Sequence, residues 1–369
     1  MAEDIFSLNK PLKKSQVLLR TIVLIFSVAF GVHICSICVK QSNTLTDGEP
    51  LGIKVIDRPC CDDGCDKTQI PYLHYPKPET FSRAECACHP VRLFVIISMQ
   101  RSGSGWFESL LNSHLNVSSN GEIFLVHQRR DNMSSITRTL DRVYNLDWLS
   151  SASKNHCSAA VGFKWMLNQG LLEHHDEIVE YFNRRGVSII FLFRRNLLRR
   201  MVSLLANSYD RYAKLFNGTH KSHVHSPAEV ALSLSLSLSL SLSLSLHAEA
   251  LLKFKPFIDS SSLMNDLKEM ELTAAKALEY FRSTRHIFLY YEDLIRDPTV
   301  RTKKIPSELN ANPQKLADVQ EFLKVPLMKL TSRQVKIHQG SLTELIWNWD
   351  EVNKTLQGTT YESFLGADY

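Results

Sequence analysis

The chain of 369 residues lacks a large charge excess: 43 Lys and Arg against 38 Asp and Glu leave +5. That is too little to imply a nucleic-acid coat, and no nucleic-acid partner is expected. It also lacks a skewed composition. With 14 Gly, 13 Pro and 44% hydrophobic residues, collagenous, fibrous and wholly disordered chains are excluded. Two nucleotide motifs are missing. No G-x-x-x-x-G-K-[ST] loop exists, and a G-x-G-x-x-G fingerprint starting at Gly103 fails because Glu108 stands at its third glycine. Acidic residues are scarce in one place: Tyr181 to Lys221 holds nine Lys or Arg and a single acid, Asp210. A basic segment inside a nearly balanced chain points to a site for a discrete anion.

Residues 21–39 (TIVLIFSVAFGVHICSICV) are an apolar stretch of 19 residues. At 1.5 Å per residue this is about enough to cross ~30 Å of hydrocarbon. Lys10, Lys13, Lys14 and Arg20 precede it, and only Lys40 follows closely. This bias predicts a cytosolic tail over 1–20, a signal-anchor over 21–39 and a type II orientation. A cleaved signal peptide is the rival reading, but the run is longer than the usual apolar core and no A-x-A-like site follows.

Six cysteines lie beyond the anchor: Cys60, Cys61, Cys65, Cys86, Cys88 and Cys157. An even number in a lumenal domain reads as disulfides, with pairing left open. Their spacing fits no common zinc-finger pattern, so no metal is expected. Sequons at Asn116, Asn132, Asn217 and Asn353 are compatible with a lumenal glycoprotein. Residues 40–88, rich in Asp, Pro and Cys, read as a stem, and the folded domain as 89–369.

Within that domain, short apolar runs alternate with helical patterns. RLFVIIS, AAVGFKWM (159–166), GVSIIFLF (186–193) and HIFLYY (286–291) read as buried strands. WFESLLNSH, NQGLLEHHDEIVEYFNRR and TAAKALEYFRS read as helices between them. The expected fold class is therefore α/β, with a mainly parallel central sheet flanked by helices. Residues 232–246 are a strict Leu-Ser alternation, read as a simple-repeat insertion in a connection. Residues 297–314 read as a surface loop.

Two strand–helix junctions carry the chemistry. In the first, Arg101, Ser102, Gly103, Ser104, Gly105 and Trp106 follow the RLFVIIS strand and open a helix. Small residues let backbone N–H groups close around an anion, the helix N-terminus adds partial positive charge, and Arg101 adds a full one. In the second, the strand ending FLF runs into Arg194 and Arg195, with Ser203 eight residues beyond Arg195. Where a P-loop ATPase strand would end in a metal-holding Asp, this one ends in arginines. Arg199 and Arg200 are expected on a solvated helix face.

Together these motifs resemble the sulfotransferases that use 3′-phosphoadenosine 5′-phosphosulfate (PAPS). That family has a [KR]-[ST]-G-[ST] loop after its first strand and an Arg-x₇-Ser pair at a later strand–helix junction. RSGS at 101–104 and Arg195…Ser203 match both in order, most closely in the manner of membrane-anchored plant members and of bacterial nodulation and trehalose sulfotransferases. GFKWM at 162–166, YYEDL at 290–294 and RQVKIHQGS at 333–341 agree. The C-terminal segment departs from R-K-G-x-x-G, with Arg333, Lys336 and His338 near Gly340 supplying charge instead.

The resemblance implies a P-loop-like sulfotransferase architecture, and PAPS as co-substrate with PAP as its product. Arg101 to Trp106, Arg195, Ser203, Arg333, Lys336 and Gly340 are then the donor-binding residues. Arg101 would stabilise the leaving group, Lys164 would contact the transferring sulfonate, and Glu122 would be the general base, with His127 as runner-up. The acceptor is a hydroxyl or amine of a lumenal glycan or protein, carbohydrate being preferred. Trp106, Trp165, Trp347 and Trp349 are its stacking candidates, and the cluster His220, His223 and His225 reads as loop. Two other classes remain. A Golgi glycosyltransferase shares the topology, although no D-x-D motif is present; a silent binding protein would keep the fold without turnover.

Overall fold

A computed structural model describes residues 67–154, 157–217, 254–295, 311–332, 334 and 340–366, with the side chains of 210–217 left aside. It also describes Val23, Ile25, Phe26, Val28 and Ala29, which are helical and exposed. The chain divides into two units, Met1–Arg58 and Pro59–Tyr369. Among the described residues no helix is long and apolar enough to cross a membrane; most of the expected anchor falls outside them. The Leu-Ser tract and most of 297–314 lie outside them too. Pro313 and Gln314, read as loop, instead open a helix, because Asn312 caps it and Pro suits its first position.

The second unit is built on five parallel strands: β1 (Arg92–Ser98), β2 (Val117–Ser119), β3 (Ala160–Met166), β4 (Val187–Phe193) and β5 (His286–Tyr290). Their order across the sheet is β2-β3-β1-β4-β5. The registers Ile97↔Trp165 and Ile97↔Phe191 hold the three central strands in line. Both faces of these strands are covered, which is why their sequences are continuous apolar runs.

Alternate residues feed opposite layers. Leu93, Val95 and Ile97 join Phe163, Trp165, Ile189 and Phe191 in one core. Helices α2 (Met133–Tyr144), α3 (His175–Arg185) and α5 (Ser260–Tyr280) close that side. Phe94, Ile96, Ile190 and Leu192 face the other way, onto α1 (Ser104–Ser113) and α7 (Pro313–Phe322). A third cluster packs α4 (Leu197–Asn217) on α5 and on α9 (Trp349–Leu356). Two one-turn helices, α6 (Tyr291–Ile295) and α8 (Leu342–Leu345), complete the described set. In β3, a Cβ on Gly162 would lie 2.4 Å from the carbonyl oxygen of Phe94, so close strand approach requires glycine there.

The described part of the expected stem is built onto this unit. His74 bridges Val91 in antiparallel fashion, Asp147 accepts the backbone N–H groups of Glu79 and Thr80, and Arg83 and Cys86 are buried. Cys86 pairs with Cys157 across 71 residues, a closure worth about 4 kcal/mol in the chain-entropy description. Cys88 is disulfide-bonded as well.

Candidate active site

From β1 the chain crosses toward β2 and β3; from β4 it crosses toward β5. The connections therefore diverge at the carboxyl ends of β1 and β4, where open parallel sheets form their ligand crevice. Both junctions singled out in the sequence meet there.

The β1–α1 loop is held in an unusual backbone. Arg101 has φ +64° and Gly103 has φ +81°. Left-handed residues on either side of Ser102 give the alternation that gathers backbone N–H groups on one side of a loop. For Arg101 this costs about 1 kcal/mol or more. Gly103 has no alternative: a Cβ there would lie 2.3 Å from the Tyr291 ring. Ser102 is fully buried and its hydroxyl has no hydrogen-bond partner among the described residues. Among the described residues no side chain caps α1, so its N-terminal N–H groups keep their affinity for an anion. Ser104 is buried at the start of this helix. Trp106 is also buried, edge-on to Tyr291 at 5.8 Å.

The β4–α4 junction is satisfied in the opposite way. Glu292, buried in α6, accepts the backbone N–H groups of Arg195 at 2.9 Å and Asn196 at 3.1 Å. Asn196 Oδ1 then caps α4 by accepting from the Arg199 N–H at 2.9 Å. The Arg195 guanidinium is half-exposed, 3.0 Å from Asp293 and stacked 4.3 Å from the centre of the Tyr290 ring. Arg195 is not joined to Ser203. The buried Ser203 hydroxyl instead accepts from Arg101 Nε at 2.9 Å, so a residue of each junction touches the other.

Arg199 and Arg200 do not form a solvated face: they are only 4% and 7% exposed. Arg199 donates to the carbonyl oxygen of Gly340 from both terminal nitrogens, at 3.2 and 3.1 Å. Arg200 donates through Nε to the Gln100 carbonyl at 2.9 Å. Backbone carbonyls of loops packed on α4 need donors, and long arginine side chains reach them. Gly340 is thus tied to α4, whereas Arg333, Lys336 and His338 lie outside the described residues, as do His220, His223 and His225.

Lys164 and the loop that carries Glu122 are joined through a residue to which the sequence assigns no role. Glu108, buried on α1, accepts from Ser119 Oγ at 2.6 Å and from the Gly121 N–H at 2.8 Å. Its other oxygen lies 3.3 Å from Lys164 Nζ. Lys164 in turn donates its own N–H to the Gly121 carbonyl at 2.9 Å. Lys164 Nζ lies 4.0 Å from where a Cβ on Gly105 would sit, and Gln334 Oε1 lies 3.9 Å from that point. The ammonium therefore stands over the first turn of α1. Glu122, next to Gly121, is half-buried, and its carboxylate makes no hydrogen bond or ion pair among the described residues. His127 is 78% exposed and pairs with Asp131.

Glu108, Glu292, Arg199 and Arg200 are the site's unforeseen members. Glu108 was visible only as the residue that spoils a glycine fingerprint. Glu292 lies in the YYEDL run, but nothing local says that its carboxylate reaches back to β4. No cluster of three or more metal-ligating side chains occurs among the described residues.

No protein-family model matches the chain. It is similar to nodulation protein H of Rhizobium meliloti, with 22% identity over 280 residues that cover 74% of this chain and 95% of that protein. It also aligns with a solved sulfotransferase domain from the curacin biosynthetic pathway, at 13% identity and a TM-score of 0.30, over 74% of this chain and 88% of that one. The nodulation relative supports the resemblance to the sulfotransferase family.

Proposed function

We propose that the chain is a PAPS-dependent sulfotransferase that moves a sulfuryl group to a hydroxyl or amine of a lumenal acceptor, preferably a carbohydrate. The carrying observation is the contrast at the crevice. The β1–α1 loop leaves a buried hydroxyl and an uncapped helix N-terminus without partners, beside an arginine held by the second junction. These features fit an anionic nucleotide donor: Ser102, the N–H groups of 103–105 and Arg101 would hold its phosphosulfate end, with Ser203 and Arg195 toward its other phosphate.

PAPS, when bound, supplies the activated sulfuryl group. Arg101 and the loop N–H groups offset the charge that grows on the bridging oxygen. Lys164, held over α1 by Glu108, neutralises charge on the transferring group. Glu122 takes the acceptor proton, with its loop positioned by the bond from Gly121 to Glu108. For the acceptor, Trp106 and Trp165 are withdrawn as stacking surfaces because both are buried. Trp347 is 71% exposed and lies 5.8 Å from Phe257, an open aromatic face of the kind that sugars stack on. The Cys86–Cys157 bridge suits an oxidising compartment. With the apolar run at 21–39, it supports a type II Golgi anchor.

The test is calorimetric titration of the full-length chain with PAP, without metal. Micromolar binding is expected, weakened about 10- to 100-fold in Arg101→Ala, the range for losing a charge-assisted hydrogen bond of roughly 1.5–3 kcal/mol. No binding to PAP, with binding to a nucleotide sugar and Mn²⁺, would replace this reading with a glycosyltransferase.

A further inference from the structure

Arg200 has no role in the scheme above, and its surroundings are electrostatically incomplete. It is 7% exposed, makes its one side-chain hydrogen bond to the Gln100 carbonyl, and has no acidic partner among the described residues. Its neighbour is another cation. Arg194 lies close enough, with burial as the larger cause, to push the Arg200 guanidinium down to about 10. Arg194 Nη1 approaches the Arg101 carbonyl at 3.4 Å, and its guanidinium stacks 5.3 Å from the centre of the Tyr291 ring. Two arginines thus sit on the successive carbonyls of residues 100 and 101, under the loop whose N–H groups lie beside the buried Ser102 hydroxyl.

A buried cation beside a second cation is unfavourable unless a counter-charge is supplied. Holding one loop carbonyl needs no charge at all; a neutral amide would do it. We propose that Arg200, with Arg194 beside it, is an anion-binding element of the donor site. The counter-charge is the phosphate-type negative charge of the bound nucleotide, and this cation pair is separate from Arg195 and Ser203. The inference rests on the donor reading above and extends it.

Thermal unfolding and calorimetry on the full-length chain decide it, with wild type, Arg200→Met and Arg200→Lys, and with PAP and pyrophosphate as probes. The expected result is that ligand-free Arg200→Met unfolds at the wild-type temperature or above. Its PAP affinity falls about ten-fold or more, as for a lost charge-assisted contact, and the PAP-induced rise in midpoint shrinks. Arg200→Lys keeps most of the affinity. A lowered ligand-free midpoint with unchanged PAP affinity would make Arg200 a structural staple and overturn the proposal. Binding of pyrophosphate but not PAP, still lost in Arg200→Met, would sustain the anion element while removing the donor reading. A wild type that binds neither probe overturns both. If Arg200→Met does not fold, wild type in sulfate against chloride at matched ionic strength replaces it: a midpoint no higher in sulfate overturns the proposal.

Discussion

The β1–α1 and β4–α4 junctions have the same architecture, a buried parallel strand turning into a helix, and opposite ways of satisfying backbone donors. At β4–α4, protein groups answer the N–H groups: Glu292 takes two and Asn196 takes a third. At β1–α1 no side chain among the described residues caps the helix, and the buried Ser102 hydroxyl finds no partner among them. Anion affinity at a helix start depends on donors the protein has not already used. The two junctions therefore divide the work. The open one keeps donors that an anion could use, and the closed one fixes Arg195, Arg199 and Ser203 beside it.

The largest effect that would break this comparison is steric. Gly103→Val must place a branched side chain at φ +81° against Tyr291, and it is expected to lower stability by about 3 kcal/mol or more. Gly358→Ala, at φ +72° with open space around it, should lose only about 1 kcal/mol. Urea unfolding of both variants measures the difference; equal losses would mean that the loop is not locked by Tyr291.

Next comes the closed junction. Glu292→Ala leaves the buried Asn196 N–H and the part-buried Arg195 N–H unanswered and should lose about 2–3 kcal/mol, read by the same unfolding measurement. A loss below roughly 0.5 kcal/mol, the range of ordinary surface changes, would show that the junction does not need its carboxylate.

Arg101→Gly separates strain from function. Glycine accepts φ +64° freely, so relief of backbone strain should offset the lost Ser203 contact to within about 1 kcal/mol. PAP affinity should nevertheless fall at least as far as in Arg101→Ala. A variant that keeps its affinity would remove Arg101 from the donor site.

A last test, confined to acid pH, probes cation-lined burial away from both junctions. Burial first, then Arg185 and Arg92, hold His74 down to about 4 from an ordinary 6.5. The unfolded chain then binds the proton more readily, so this residue's contribution is complete above about pH 6.5 and is lost as pH falls toward 4. Unfolding midpoints across that window should fall more steeply for wild type than for His74→Gln. Parallel curves would show that His74 titrates freely in the folded protein.

Legibility followed the range of the interactions. Strands β1, β3 and β4 could be read because each buries an apolar run, β5 because its sequence is apolar although only Leu289 is buried, and residues 101–106 because small residues between a strand and a helix have few other uses. Strand β2, with three residues, is too short for any periodicity to mark it. The fate of Arg199 and Arg200 was misread, since helical spacing says which residues share a face but not what covers that face. The distant carbonyls of Gln100 and Gly340 decide it.

Local chemistry thus determined the α/β class, the composition of the β1–α1 loop and the arginines that follow β4, because hydrophobic period and residue size act within a few positions of the chain. Only the tertiary structure decided which donors remain open. Glu292 reaches Arg195 across 97 residues, and Arg101 reaches Ser203 across 102. A hydrogen bond is satisfied by proximity in space, and no local pattern carries that information.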